Sequence, residues 1–163
     1  MNRPTISLDQ NPGGALRAMR VILEAGLLAG TVDIGAAALI NMLDPRIILR
    51  FIAGGLLGKA ALRGGWPVPV LGLFLQWWMS LLIAGLFVLA ALRIRWLTSR
   101  PIAAGLAYGV IVFVVMNYLV MPLSAWGHVN HLSPVKFIEN LAAMLLFGLI
   151  VALVTRPSPH TST

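Results

Sequence analysis

Apolar residues gather into four long stretches, at 21–43, 69–92, 101–121 and 135–155, each broken by few charges. About 20 residues of helix cross the roughly 30 Å hydrocarbon core of a bilayer, so each stretch is long enough to span one. The boundaries carry helix punctuation. The first stretch ends at Asp44-Pro45, and the second is entered through Trp66-Pro67-Val68-Pro69. Ser99 precedes Pro101 as a cap, and Pro122 lies beyond the third stretch. Ser133-Pro134 opens the fourth and Arg156-Pro157 closes it. Proline suits a first helical turn, whose amide needs no partner, and Ser or Asp can cap that turn.

Between the first two stretches lie residues 46–65, apolar but carrying Arg46, Arg50, Lys59 and Arg63. Four cations argue against a fifth span. Irregular backbone at membrane depth is tolerated only where protein or water shields it. The segment is therefore expected as two short helices broken at Gly54-Gly55, lying at the interface or re-entrant.

Composition agrees with this all-α, four-helix membrane bundle. The chain is 59% apolar with a mean hydropathy of +0.90 and only 10% charged residues. Soluble domains average about 45–50% apolar and about 25% charged. The net charge of +7 resides in residues flanking the apolar stretches, the pattern of membrane anchors, so no nucleic-acid partner is expected. With no cysteine, thiolate chemistry and cysteine-ligated metals are excluded. Arg17 and Arg20 before an apolar run resemble a signal peptide. That run is too long for one and holds Glu24 and Asp33, so it reads as a retained helix. Residues 1–20 are expected as a flexible cytoplasmic tail and 156–163 as a second. An inside N-terminus places Arg3, Arg17, Arg20, Arg93, Arg95, Arg100 and Arg156 in the cytoplasm, with both termini there.

Gly26-x-x-x-Gly30, Gly54-x-x-x-Gly58 and Gly105-x-x-x-Gly109 are spacings that let helix backbones approach closely. They serve packing within one chain, or a homodimer or larger membrane complex. Ala25-Gly-Leu-Leu-Ala-Gly30 also echoes Ala104-Gly-Leu-Ala-Tyr-Gly109, which hints at a two-plus-two duplication.

Ionisable side chains inside a bilayer are costly and become candidates for function. Asp33 lies 12 residues past Val21, roughly 18 Å deep at 1.5 Å per residue, on one stripe with Gly26 and Gly30. Gln76 falls at a similar depth on the second span, with Ser80 one turn below. Asn117, Asn41 and Glu139 lie in the outer half, so a polar vestibule closed by Asp33 is expected. Pairing of Asp33 with Arg50 or Lys59, or purely structural hydrogen bonds, stay open, as does its charge state. Glu24 sits one turn from Arg20 and reads as its structural partner. Arg46, Arg50, Lys59 and Arg63 are candidates for an anion or anionic lipid headgroup. His128-x-x-His131 has a metal-compatible spacing but lacks a fixed third ligand beyond Glu139, so a solvated, pH-sensitive loop is the reading and no metal is assigned. No catalytic constellation or haem-type histidine pair is present, so neither an enzyme nor a cofactor is expected.

The runs Gly26-Leu-Leu-Ala-Gly-Thr-Val-Asp33, Ile52-Ala-Gly-Gly-Leu-Leu-Gly-Lys-Ala-Ala61 and Met116-Asn-Tyr-Leu-Val-Met-Pro-Leu-Ser124 resemble a group of short bacterial inner-membrane proteins. That group is loosely similar to the YagU family, linked with acid resistance. The resemblance implies a bacterial inner membrane but no mechanism. Under it, Asp33, Glu139 and the two histidines are the groups to test. The expected activity is a small proton or ion channel or transporter with Asp33 as its titrating gate. The alternative is a structural or accessory subunit of a larger membrane complex.

Overall fold

The computed structural model describes residues 12–127 and 133–155, and among these every regular element is helical. Four helices are long and apolar enough to cross a bilayer, so the chain is a multi-pass membrane protein. Helix α1 runs Pro12–Asn41, α3 Pro67–Arg93, α5 Pro101–Val115 and α7 Pro134–Val154. Helix α5 continues through a π-turn at Met116–Val120 into the short α6, Met121–Leu123. The five-residue α4, Arg95–Ser99, joins the second and third spans.

All four spans open on a proline, Pro12, Pro67, Pro101 and Pro134. Ser133 caps α7 through the Lys136 amide at 3.4 Å. Ser99 does not cap α5. It closes α4 instead, with its hydroxyl on the Trp96 carbonyl. The first helix begins earlier than the sequence suggests, at Pro12 rather than near Val21, so the described part of the expected flexible tail is helical. Residues 15–20, Ala-Leu-Arg-Ala-Met-Arg, are strong helix formers, and Arg20 Nε lies 2.8 Å from Glu24 one turn on. The helix stops at Asn41, and Met42 takes a left-handed conformation with φ 51°.

Residues 46–65 form no helix long enough to cross a bilayer. Helix α2, Pro45–Leu57, has 13 residues and is about 20 Å long, and a 3-10 turn follows at Gly58–Arg63. Asp44 caps α2 by accepting from the Arg46 amide at 2.7 Å. The break falls at Gly58, whose φ of 63° suits glycine, and not at Gly54-Gly55 as expected. Those two glycines lie inside α2 because the third span's end needs their bare backbone. A Cβ on Gly54 would meet the Trp126 ring, and the Ala125 amide donates to the Gly55 carbonyl at 2.8 Å. Helix α2 thus lies across one end of the bundle, from the start of α3 to the end of α6. Its Leu49 backbone abuts Gly72.

Around the bundle the packed order is α3, α1, α7, α5. Two hairpins, α1 with α3 and α5 with α7, meet where α1 packs along α7. The glycine motifs explain each hairpin. A Cβ on Gly26 would come within 2.9 Å of the Leu81 Cα, and one on Gly30 within 2.5 Å of Ser80 Oγ. Gly105 and Gly109 lie against Gly148, Leu149 and Leu145 of α7 in the same way. The echoed glycine runs therefore hold corresponding places, in the first helix of each hairpin. These faces are occupied inside the chain, so the surfaces expected to serve a homodimer or complex are already used. Ala25, Ala29, Ala84, Phe87, Phe147 and Val151 form the core between the hairpins.

Candidate functional site: a carboxylate–amide pair between the hairpins

The glycine-tight contact of α1 with α3 holds two polar side chains at one level. Asp33 is eight residues from the end of α1 and Gln76 nine from the start of α3, about 12 Å and 14 Å from those ends. Gln76 Nε2 donates to Asp33 Oδ2 at 2.8 Å. No basic side chain pairs with Asp33 among the described residues, and none of them hydrogen-bonds Oδ1. The Arg50 and Lys59 pairings left open by the sequence are not formed. Ser80, one turn along α3, is buried against Gly30. Trp77 Nε1 lies 3.4 Å from the Thr31 hydroxyl and flanks the pair.

Asp33 and Gln76 line a cavity of about 30 Å³, closed by Met79, Ile83, Met116 and Phe147 among others. That is room for one or two waters. Beside it, between α3 and α5, lies a larger apolar groove of about 230 Å³. Met79, Ile83, Val112 and Met116 are walls common to both spaces. Tyr108 bounds the groove at one end. Its hydroxyl donates to the Ile83 carbonyl at 2.6 Å, and its ring meets Phe87 edge-on at 4.9 Å.

The other polar residues do not join this site. Asn117 is buried in the π-turn but donates to the Phe113 carbonyl of its own helix at 2.9 Å. Asn41 donates to the Ala37 carbonyl at 2.7 Å. Glu139 forms an ion pair with Lys136 at 3.0 Å, without an aligned hydrogen bond. The expected vestibule of Asp33, Gln76, Asn41, Asn117 and Glu139 therefore reduces to its first two members. Each of the others finds a partner within its own helix, which depth along a helix cannot reveal.

Two residues that sequence reasoning missed organise the surroundings. Lys136 donates to the Ile40 carbonyl at 3.0 Å, placing a cation on the open carbonyls at the end of α1. Tyr108 ties α5 to α3. A lysine two residues past a helix-opening proline was the available signal for the first; nothing in the sequence signals the second. Among the four candidate anion-binding residues, the Arg46 guanidinium sits 5.3 Å over the Trp66 ring, whereas Lys59 and Arg63 are exposed on the 3-10 turn. Arg50 Nε is buried with no hydrogen-bond partner among the described residues. His128 and His131 lie outside the described residues.

Fold and site together define a multi-pass helical membrane protein with an acid–amide pair between two hairpins. No family model, curated protein or solved structure matches the chain.

Proposed function

We propose that the protein is a small inner-membrane carrier of protons or small cations, with Asp33 as the group that takes up and releases the charge. One observation carries this reading. Asp33 lies deep in a span with no counter-ion among the described residues and one oxygen unbonded, beside a water-sized cavity. An acid in lipid is costly, and a purely structural bridge to Gln76 would be made as well by an amide. The small volume favours exchange of one proton or cation at a time over an open channel. The basic residues at the α4 end favour a cytoplasmic placement of both termini, and the YagU resemblance would connect the activity with acid stress. An accessory-subunit role would have to use faces other than the glycine stripes. The test is proton flux driven by a pH gradient in proteoliposomes. Wild type is expected to conduct and Asp33→Asn to be silent while folded; no flux in wild type refutes the reading.

A further inference from the structure

The groove between α3 and α5 gives the candidate site a second approach. It opens on the flank of the bundle that faces lipid, where Leu82, Leu86 and Ile111 are exposed. Its volume of about 230 Å³ exceeds the cavity of about 150 Å³ that holds a benzene ring, so one ring with a short alkyl arm fits. The methionines shared with the smaller cavity, Met79 and Met116, are unbranched and flexible, so they can yield to a chain passing inward. Behind those shared walls lies the space of about 30 Å³ lined by Asp33 and Gln76, the size of a water or an ammonium group. An apolar entrance from lipid leading to an acid without a counter-ion is complementary to one kind of molecule: a lipophilic primary amine in its ammonium form. Neutral amphiphiles would fill the groove and leave the acid unpaired. Quaternary ammonium heads are too large for the inner space.

We propose that this groove admits single-ring or short-chain primary ammonium amphiphiles from the bilayer and that Asp33 binds their head. This extends the carrier reading from small cations to organic ammonium ions and rests on it. Gln76 keeps its hydrogen bond to Oδ2, so Oδ1 is the oxygen that receives the ammonium. The bond is charge-assisted and the site is shielded from water, so it discriminates strongly against an uncharged analogue.

The experiment is equilibrium binding of 4-phenylbutylamine to the full chain in phosphatidylcholine nanodiscs, with empty nanodiscs as the partition blank and 4-phenylbutanol as the neutral control. Saturable binding of the amine is expected, about tenfold or more tighter than the alcohol, with Asp33→Asn reducing it to the alcohol's level. Ile111→Trp, at the lipid-facing mouth and away from the polar pair, is expected to weaken the amine by about tenfold as well. Equal binding of amine and alcohol overturns the proposal, as does amine binding indifferent to Asp33→Asn or to Ile111→Trp. Because the readout is binding, it separates from the carrier reading. Binding without flux retains the site and removes the transport; flux without binding retains the carrier and removes this substrate class.

Discussion

Substituting Gly148 with alanine tests the tight backbone contact between α5 and α7. The added Cβ would strike the Gly105 carbonyl oxygen and lie 2.6 Å from the Gly109 amide nitrogen and 2.9 Å from its Cα. All three atoms are backbone of α5, so no side chain can swing aside. Ordinary carbon contacts sit at about 3.5–4.0 Å, so α5 and α7 must part by roughly 1 Å over the middle of the second hairpin. Overpacking of this kind costs about 1–3 kcal/mol, and rigid backbone on the receiving side puts Gly148 at the upper end. Alanine's better helix propensity returns roughly 0.5–1 kcal/mol. The net loss is about 2 kcal/mol. Gly35 on α1 supplies the control, because a Cβ there meets nothing within 4 Å, and Gly35→Ala should gain the propensity term alone. The two variants should therefore differ by about 3 kcal/mol, roughly a hundredfold in the unfolding equilibrium. Unfolding by sodium dodecyl sulfate in mixed micelles, followed by circular dichroism, measures the difference. Equal stability of the two variants would refute the glycine account of the α5–α7 contact.

Asp33→Asn should change stability by less than about 0.5 kcal/mol, since an amide oxygen still accepts from Gln76, whereas Asp33→Leu should cost about 0.6–1.7 kcal/mol. The same micelle assay decides, and equal losses would mean that the Gln76 bond is not what matters there. Gly54→Ala should destabilise by about 1–3 kcal/mol through the Trp126 ring and lose much of that effect when Trp126→Leu is added. Additive losses in this double-mutant cycle would place the strain elsewhere. The chain has no cysteine, so Ser99→Cys and Ala125→Cys report topology without background. Impermeant maleimide should label them from opposite faces of the membrane, and labelling from one face would overturn the span count.

The spans were legible because their limits are chemical. The starts expected at 69, 101 and 135 fall within two residues of Pro67, Pro101 and Pro134, where the helices begin. Depth along two antiparallel spans also placed Asp33 and Gln76 at one level, where the structure pairs them. What stayed hidden depends on which helix neighbours which. The groove exists because α1 and α7 come together at the centre and leave α3 and α5 at the flanks, an order no hydropathy pattern encodes. The uninterrupted run of α2 through Gly54-Gly55 was hidden for a related reason. Paired glycines signal a break when read locally, but here they make room for an indole 72 residues away, Trp126. The π-turn at Met116–Val120 precedes Pro122, which has no amide proton to give the preceding turn. That proline was visible in the sequence, but the widening of the helix before it was not.

The division into two hairpins bears on how the chain is built. During synthesis the α1–α3 hairpin can close by itself, its glycine stripe already facing its partner, before α5 leaves the ribosome. Helix α2 cannot finish at that stage, because the Trp126 indole nitrogen that donates to the Phe51 carbonyl and the Ala125 amide bonded to Gly55 belong to the second half. Those two contacts can form only after the third span has been made. Once that span is present α2 can clasp the two halves across their shared end, joining segments made early and late.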